Sequence, residues 1–310
     1  MGTALPPLAV IAGPTASGKS ALALTLAQRT CGVIVNADSA QLYAGTPTLT
    51  AAPSPEDMLR AEHRLYGVRD PALPCSAADW ADLAKAEVAA VHAAGKLPIL
   101  VGGTGLYLRA LVDGIAPVPP IDPQTRAAVR AASVADNYAE LTSLDPVGAA
   151  RLNPGDSARV ARALEVYLST GCSLLYWQEQ RSGGIGHEVR LRPIVLLPPR
   201  VWLLERCEHR FQRMIDGGAL EEVKALLSLG LDPALPAMKA IGVPELAAYL
   251  RGDTSLAHAI AAAQVSTRQY AKRQYTWFAH QPPEDWPRFT SPIDGPGAMD
   301  AALALVAVPA

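Results

Sequence analysis

The chain has 310 residues, half of them hydrophobic and 18% charged, with a formal net charge of −2 at pH 7. That length suits about two domains, or one domain with an insertion, and supplies ample apolar material for a core. The near-neutral balance excludes a broadly basic nucleic-acid binder, so any such surface must be a local patch. No apolar run is long enough to span a bilayer, and no secretory signal pattern is visible at the N-terminus. Four cysteines, Cys31, Cys75, Cys172 and Cys207, are scattered without C-x-x-C spacing. They argue against a zinc site and fit a reducing cytoplasm.

In chain order, Leu8–Ala12 reads as a short buried strand. Gly13-Pro14-Thr15-Ala16-Ser17-Gly18-Lys19-Ser20 follows and fits G-x-x-x-x-G-K-[ST] at every fixed position. Ala21–Gln28 continues as a helix. Strand, glycine loop and helix are the parts a phosphate loop needs: backbone N–H groups form a nest and the helix N-terminus adds partial positive charge. Lys19 supplies a full charge, and the Ser20 hydroxyl can ligate Mg²⁺. Residues 32–38 read as a second buried strand ending in Asp38, whereas 46–78 resist assignment. Ala77–Ala94 is a helix with Gly95 as its stop signal. Leu97–Val101 is a third strand, interrupted by Gly102-Gly103-Thr104-Gly105, and Leu106–Val112 a further helix. This alternation implies a parallel sheet with helices on both faces, and ligands at the carboxyl ends of its strands.

The pattern changes at Pro117-Val118-Pro119-Pro120, a stiff connector. Residues 124 to about 180 read as helices without a strand, and Gly183-Gly184-Ile185-Gly186 marks the exit. Pro193–Pro198 returns as a strand, and from Trp202 the chain is helical, with an irregular tail and an Ala-rich helix after Pro282. The expected architecture is α/β: a phosphate-loop core domain over 1–117 and 190–310, with an inserted all-helical domain over 118–189.

Outside the loop, several residues are candidates for chemistry. Asp38 could bind Mg²⁺ through water or take a proton from a nucleophile, or it could be a turn or cap aspartate. Thr104 is a small hydrogen-bonding group on a second glycine loop. Arg206, Arg210 and Arg213 share one face of a helix, suited to phosphate or paired with Glu205, Glu208 and Glu221. Arg268-Gln269-Tyr270-Ala271-Lys272-Arg273-Gln274-Tyr275-Thr276-Trp277 mixes basic and aromatic residues. It could track a nucleic-acid backbone and stack on bases, or be an amphipathic helix with its aromatics packed inward. Arg126, Arg159 and Arg162 are further basic points.

Taken together in order, the Gly13–Ser20 loop, Asp38-Ser39-Ala40-Gln41-Leu42-Tyr43 and Gly102-Gly103-Thr104-Gly105-Leu106-Tyr107 resemble the landmarks of the tRNA dimethylallyltransferases. So do Asp122–Arg126, Arg159-Val160-Ala161-Arg162-Ala163-Leu164-Glu165-Val166, Arg206 with Arg210–Met214, and Thr267–Gln274 with Trp277. The resemblance covers residues 8 to 280 and implies transfer of a dimethylallyl group from dimethylallyl diphosphate to N6 of adenosine-37 in tRNA. The loop that grips ATP phosphates in nucleotide-binding relatives would here grip the diphosphate, through Gly13, Thr15, Ala16, Ser17, Gly18, Lys19 and Ser20, with Mg²⁺ at Ser20. Asp38 matches the base, Thr104 the group holding N6, and Arg210 a stabiliser of the leaving diphosphate. Asp38, Ser39, Ala40, Gln41, Thr104, Arg126, Arg159, Arg162, Lys239, Gly242, Arg268, Lys272 and Arg273 would contact tRNA at its anticodon stem-loop. The expected protein is a cytoplasmic monomer without a membrane partner.

Two features depart from the family pattern. Ile241-Gly242-Val243-Pro244-Glu245 stands where an aromatic and a basic residue usually follow Ile-Gly in the family, so the resemblance does not carry over a tRNA contact there, and Pro244 suggests a different local turn. There is no C-terminal Cys/His finger, which fits the shorter bacterial type. Two alternatives use the same loop: a small-molecule kinase, and an isopentenyltransferase acting on free AMP, ADP or ATP. A third is a non-catalytic nucleotide-binding module, which the intact Lys19, Ser20 and Asp38 set disfavours.

Overall fold

The computed structural model describes residues 5–306. The outer ends of the expected core domain, 1–4 and 307–310, lie outside the described residues. The chain forms two compact units, one running through Leu111 and resuming at Ile185, the other Val112–Gly184.

The first unit is built on a six-stranded sheet in which every pairing is parallel. Its strands are β1 (Pro7–Ala12), β2 (Val33–Asn36), β3 (Glu62–Arg64), β4 (Pro98–Gly102), β5 (Arg190–Leu196) and β6 (Arg288–Phe289), in spatial order β3-β2-β4-β1-β5-β6. The central strands are apolar along their whole length because both faces are covered. Ala9, Ile11, Ile34, Ile99, Val101 and Ile194 pack in one cluster with Leu22, Leu26 and Ala27 of the Lys19–Thr30 helix and with Ala302, Leu303 and Val306 of the Ala298–Val306 helix. The alternate residues Val10, Val35 and Leu100 are equally buried on the other face. There the Ala77–Ala93 helix packs against β2 and β4, and Trp80 Nε1 donates to Asn36 O at 3.0 Å. That helix is started by a reciprocal Ser76–Asp79 cap.

The order β2-β4-β1 places the turns that follow these three strands side by side. These turns carry Asp38, Thr104 and the Gly13–Ser20 loop, so all three lie on one rim. Gly102 permits a close approach of the two turns, since a Cβ there would clash with the Ala37 carbonyl.

β3 and β6 fall in stretches the sequence leaves unassigned or irregular. They have three and two residues, form the two edges of the sheet, and carry charge as edge strands do. Arg64 pairs with Glu62 and with Glu87.

The second unit contains helices Pro123–Ala131, Val134–Leu144, Pro146–Ala149, Ser157–Thr170 and Leu174–Glu179. Each begins at a residue whose side chain accepts the early backbone N–H: Asp122, Ser133, Asp145, Asp156 and Ser173. Val129, Leu141, Val160 and Leu164 form its core. It starts and ends a few residues ahead of the expected 118–189. Ile115 and Ser182 exchange both backbone hydrogen bonds at 3.1 Å, closing the neck before the proline run is reached. Gly184 lets the entering and leaving segments touch, because a Cβ there would meet the Gly114 amide.

Candidate functional site

The glycine loop departs from β1 with Gly13 at φ +153°, where a Cβ would lie 2.7 Å from Leu196 O. Gly18 follows at φ +93°. Ala16 adopts a left-handed φ of 63°, unfavourable for a residue with a Cβ; Arg206 Nε donates to its carbonyl at 3.2 Å. Lys19 is buried and folds back to donate to Pro14 O at 3.2 Å. Burial pulls its ammonium down to about 8, with Asp38 opposing the shift and Arg210 adding to it. The Ser17 hydroxyl is buried with no hydrogen-bond partner. A buried cation and a buried unpartnered donor at a helix N-terminus together fit an anion.

Two neighbours tie this loop to the rest of the rim. Arg210 Nη1 donates to Thr15 Oγ1 at 2.9 Å. Gln274 accepts from the Thr15 amide and donates to Gly103 O, both at 2.8 Å. Thr15, one of the loop residues expected on the diphosphate, thus has its N–H engaged by Gln274 and meets the cavity through its side chain.

Asn36, fully buried at the end of β2, shapes the next turn. Its Oδ1 accepts from Asp38 N at 2.8 Å, and its Nδ2 donates to Asp38 O and Leu65 O. Asp38 is half-buried, and Oδ1 accepts from Ala40 N at 3.1 Å. Its Oδ2 has no partner among the described residues. Ser39 N donates to Thr104 Oγ1 at 3.0 Å, and Thr104 N to Ala37 O at 3.2 Å. Thr104 is therefore held by the residues on either side of Asp38, across the β2 and β4 turns.

Thr15, Asp38, Ser39, Ala40, Arg210, Lys239 and Arg273 open onto one cavity of about 340 Å³. Its remaining wall is largely apolar, with Leu49, Phe211, Met214 and Ile241, and has room for a small branched hydrocarbon. The Cys207 thiol, also in the wall, is pushed up by burial and stays neutral near pH 7. Gln41 lies elsewhere: it lines a smaller cavity of about 300 Å³ with Ser20 and donates to Thr50 O and Ala51 O.

The remaining expected residues are dispersed. Gly242, at φ +98°, precedes the Val243–Leu250 helix, and its amide donates to Glu245 Oε2 at 2.9 Å. Pro244 sits in the first turn of that helix, where a missing N–H costs nothing. Arg268 pairs with Glu208 at 2.6 Å, whereas Lys272 is exposed. In the second unit Arg126 and Arg162 approach Glu165, while Arg159 pairs with Asp156. Arg213 is exposed and outside the cavity lining. Of the aromatics of the basic segment, Tyr270 lines the cavity and the other two pack against the protein. Tyr275 lies under Arg200, and a Cβ at Gly105 would sit 2.5 Å from the Trp277 ring.

Residue reading did not single out Gln274. The signal was present: Ala271, Gln274 and Phe278 share the buried face of the Leu256–His280 helix at helical spacing, and a glutamine on such a face must find partners. Arg206 was expected on phosphate or on Glu205, Glu208 or Glu221. It is engaged by Ala16 O and by Asp294 at 2.9 Å.

A family model described as IPP transferase matches residues 41–281. A tRNA dimethylallyltransferase of Sphingopyxis alaskensis is 58% identical over 282 residues, covering 91% of this chain and 92% of that protein. Its counterpart in Novosphingobium aromaticivorans is 60% identical over 256 residues, covering 83% and 91%. The crystal structure of a full-length tRNA isopentenylpyrophosphate transferase from Bacillus halodurans superposes with a TM-score of 0.66 at 33% identity, over 92% of this chain and 89% of that one. A eukaryotic dimethylallyltransferase caught acting on tRNA gives 0.75 at 27% identity, over 88% and 69%. With the sheet, the glycine loop and the adjoining turns that carry Asp38 and Thr104 already in place, these matches assign the family: the chain belongs to the tRNA dimethylallyltransferases.

Proposed function

We propose that this protein transfers the dimethylallyl group of dimethylallyl diphosphate to N6 of adenosine-37 in the anticodon stem-loop of tRNA. The observation that carries this reading is the convergence of Asp38 and Arg210 on one largely apolar cavity beside the glycine loop. The diphosphate lies on the loop, facing Lys19 and the Ser17 hydroxyl, and the hydrocarbon enters the apolar wall. Ser20, exposed at the first turn of its helix, would hold Mg²⁺. No group of three His, Cys, Asp or Glu among the described residues could hold a metal, so the other ligands would be diphosphate oxygens and water. The ion, when bound, supplies positive charge to the diphosphate.

An adenine N6 amine is a weak nucleophile, its lone pair being delocalised into the ring. As it attacks C1 of the donor, the C1–O bond breaks, the diphosphate leaves with the electron pair, and the N6 proton passes to Asp38 Oδ2. Positioned base assistance of this kind is worth roughly 10²–10⁴-fold. Thr104 aligns the amine, and Arg210 and Lys19 meet the charge developing on the leaving group. The target base is flipped out of its stack to reach the cavity. Arg126, Arg159, Arg162, Lys239, Arg268, Lys272 and Arg273 supply positive charge for the tRNA backbone. The relatives are named for tRNA, which favours this reading over a kinase or an enzyme of free adenylates. It is tested by nucleoside analysis after incubating the protein with dimethylallyl diphosphate, Mg²⁺ and an unmodified anticodon stem-loop. N6-dimethylallyladenosine is expected, and none should form from a stem-loop carrying guanosine at position 37. Equal product from that control would refute the assignment.

A further inference from the structure

Glu165 lies in the middle of the Ser157–Thr170 helix among Val160, Ala163, Leu164 and Val166, all buried. Its side chain is 1% exposed, and three guanidiniums surround it. Arg130 Nε donates to Oε1 at 2.8 Å. Arg126 Nε and Arg162 Nη1 each stand 3.9 Å from Oε2, which has no hydrogen-bond partner. The three arginines come from two helices and are themselves 51, 64 and 41% exposed. Their mutual repulsion is felt: besides burial, Arg126 and Arg130 lower Arg162, against the pull of Glu165.

As a stability device this arrangement is poor. A carboxylate stripped of water is compensated by one hydrogen bond and two longer ion pairs, and an apolar side chain would serve the core as well or better. As a way to hold three forked donors together at a surface it is effective. One buried charge draws in three exposed ones and leaves two positive charges in excess.

We propose that Arg126, Arg130 and Arg162 form a single phosphate-binding cluster for the RNA backbone, and that Glu165 is the positioning residue that gathers it. This rests on the tRNA reading above and adds Arg130 and Glu165 to it, while Arg159, paired with Asp156, stands outside the cluster. A phosphodiester fits because guanidiniums present parallel N–H donors to two oxygens of one anion.

The test uses the full-length protein and a fluorescently labelled, unmodified anticodon stem-loop, titrated between about 50 and 200 mM salt. Arg130→Ala, an exposed change, is expected to weaken binding roughly fivefold to tenfold and to lower the slope of log K against log salt by about 1. The loss should appear in KM for the stem-loop rather than in kcat. In a Glu165→Gln background the same Arg130→Ala change should cost less than about twofold, because Arg130 is no longer held. Melting temperatures monitor folding, and Arg126→Ala repeats the slope measurement with the Arg130–Glu165 hydrogen bond left in place, removing only a longer ion pair. A wild-type protein that binds no stem-loop would remove the underlying tRNA reading. Wild-type binding with an unchanged slope in both arginine variants would overturn the cluster alone, and equal costs in the two backgrounds would overturn the role of Glu165.

Discussion

Lys19 links donor binding to pH. In the free protein its ammonium titrates at about 8, pulled down by burial. A bound diphosphate beside it raises that pKa again, as an opposite charge in contact favours the charged form. Above pH 8 the complex therefore holds a proton that the free protein has lost. The diphosphate itself is nearly fully ionised above pH 7, its last pKa lying near 6, and the neighbouring Cys207 thiol is pushed up rather than down. Lys19 then dominates the linkage. With a free pKa of about 8, the apparent Kd for dimethylallyl diphosphate should rise about twofold from pH 7 to pH 8 and about tenfold to pH 9, or about 1.4 kcal/mol. Calorimetric titration in buffers of differing ionisation enthalpy should show about half a proton taken up at pH 8 and about 0.9 at pH 9. Lys19→Arg, charged throughout, should flatten the profile. An affinity that stays constant from pH 7 to 9 with no proton uptake would refute the reasoning. The same shift acts on folding with the opposite trend. The unfolded chain keeps its lysine proton up to about 10.5, so the cost of burying the charge is greatest below pH 8 and is relieved as pH rises from 8 to 10.5.

Three further outcomes follow from the site. Asp38→Asn keeps the turn, since an amide oxygen can still accept from Ala40 N, but removes the base; single-turnover transfer should slow roughly 10²–10⁴-fold while dimethylallyl diphosphate still binds. Gln274→Leu leaves the Thr15 amide and the Gly103 carbonyl without their partner; urea denaturation should show a loss of about 2–4 kcal/mol, and an unchanged midpoint would contradict the bridging role. Gly102→Ala drives a methyl into the Ala37 backbone, which cannot yield; a loss of about 3 kcal/mol or more is expected by thermal melting, and a native-like melting temperature would show that the β2–β4 contact is looser than described.

The sheet core was legible because its strands are apolar throughout and separated by glycine loops and amphipathic helices. Leu8–Ala12 and Leu97–Val101 needed no tertiary information. β3 and β6 were not legible, since Glu62–Arg64 and Arg288–Phe289 are too short to carry a period and exist only where a neighbouring edge receives them. In the site, Lys19, Asp38 and Thr104 stood out because each ends a strand or a glycine loop, and strand order makes those turns neighbours. What stayed hidden were the long-range bonds: Gln274 to Thr15, 259 residues away, and Arg206 to Ala16, 190 away. The aromatic-basic segment left two readings open, and Tyr275 and Trp277 prove to be packed, while Tyr270 and Arg273 reach the cavity. Pro244, which read as a changed turn, is a residue of a helix's first turn.

The most direct measurement of the central claim is a competition for label. Radiolabelled dimethylallyl diphosphate and Mg²⁺ are mixed with the protein, an unmodified anticodon stem-loop and an excess of AMP. Label is expected on the stem-loop alone and should be lost in Asp38→Ala. Label on AMP, or no label on either acceptor, would contradict it.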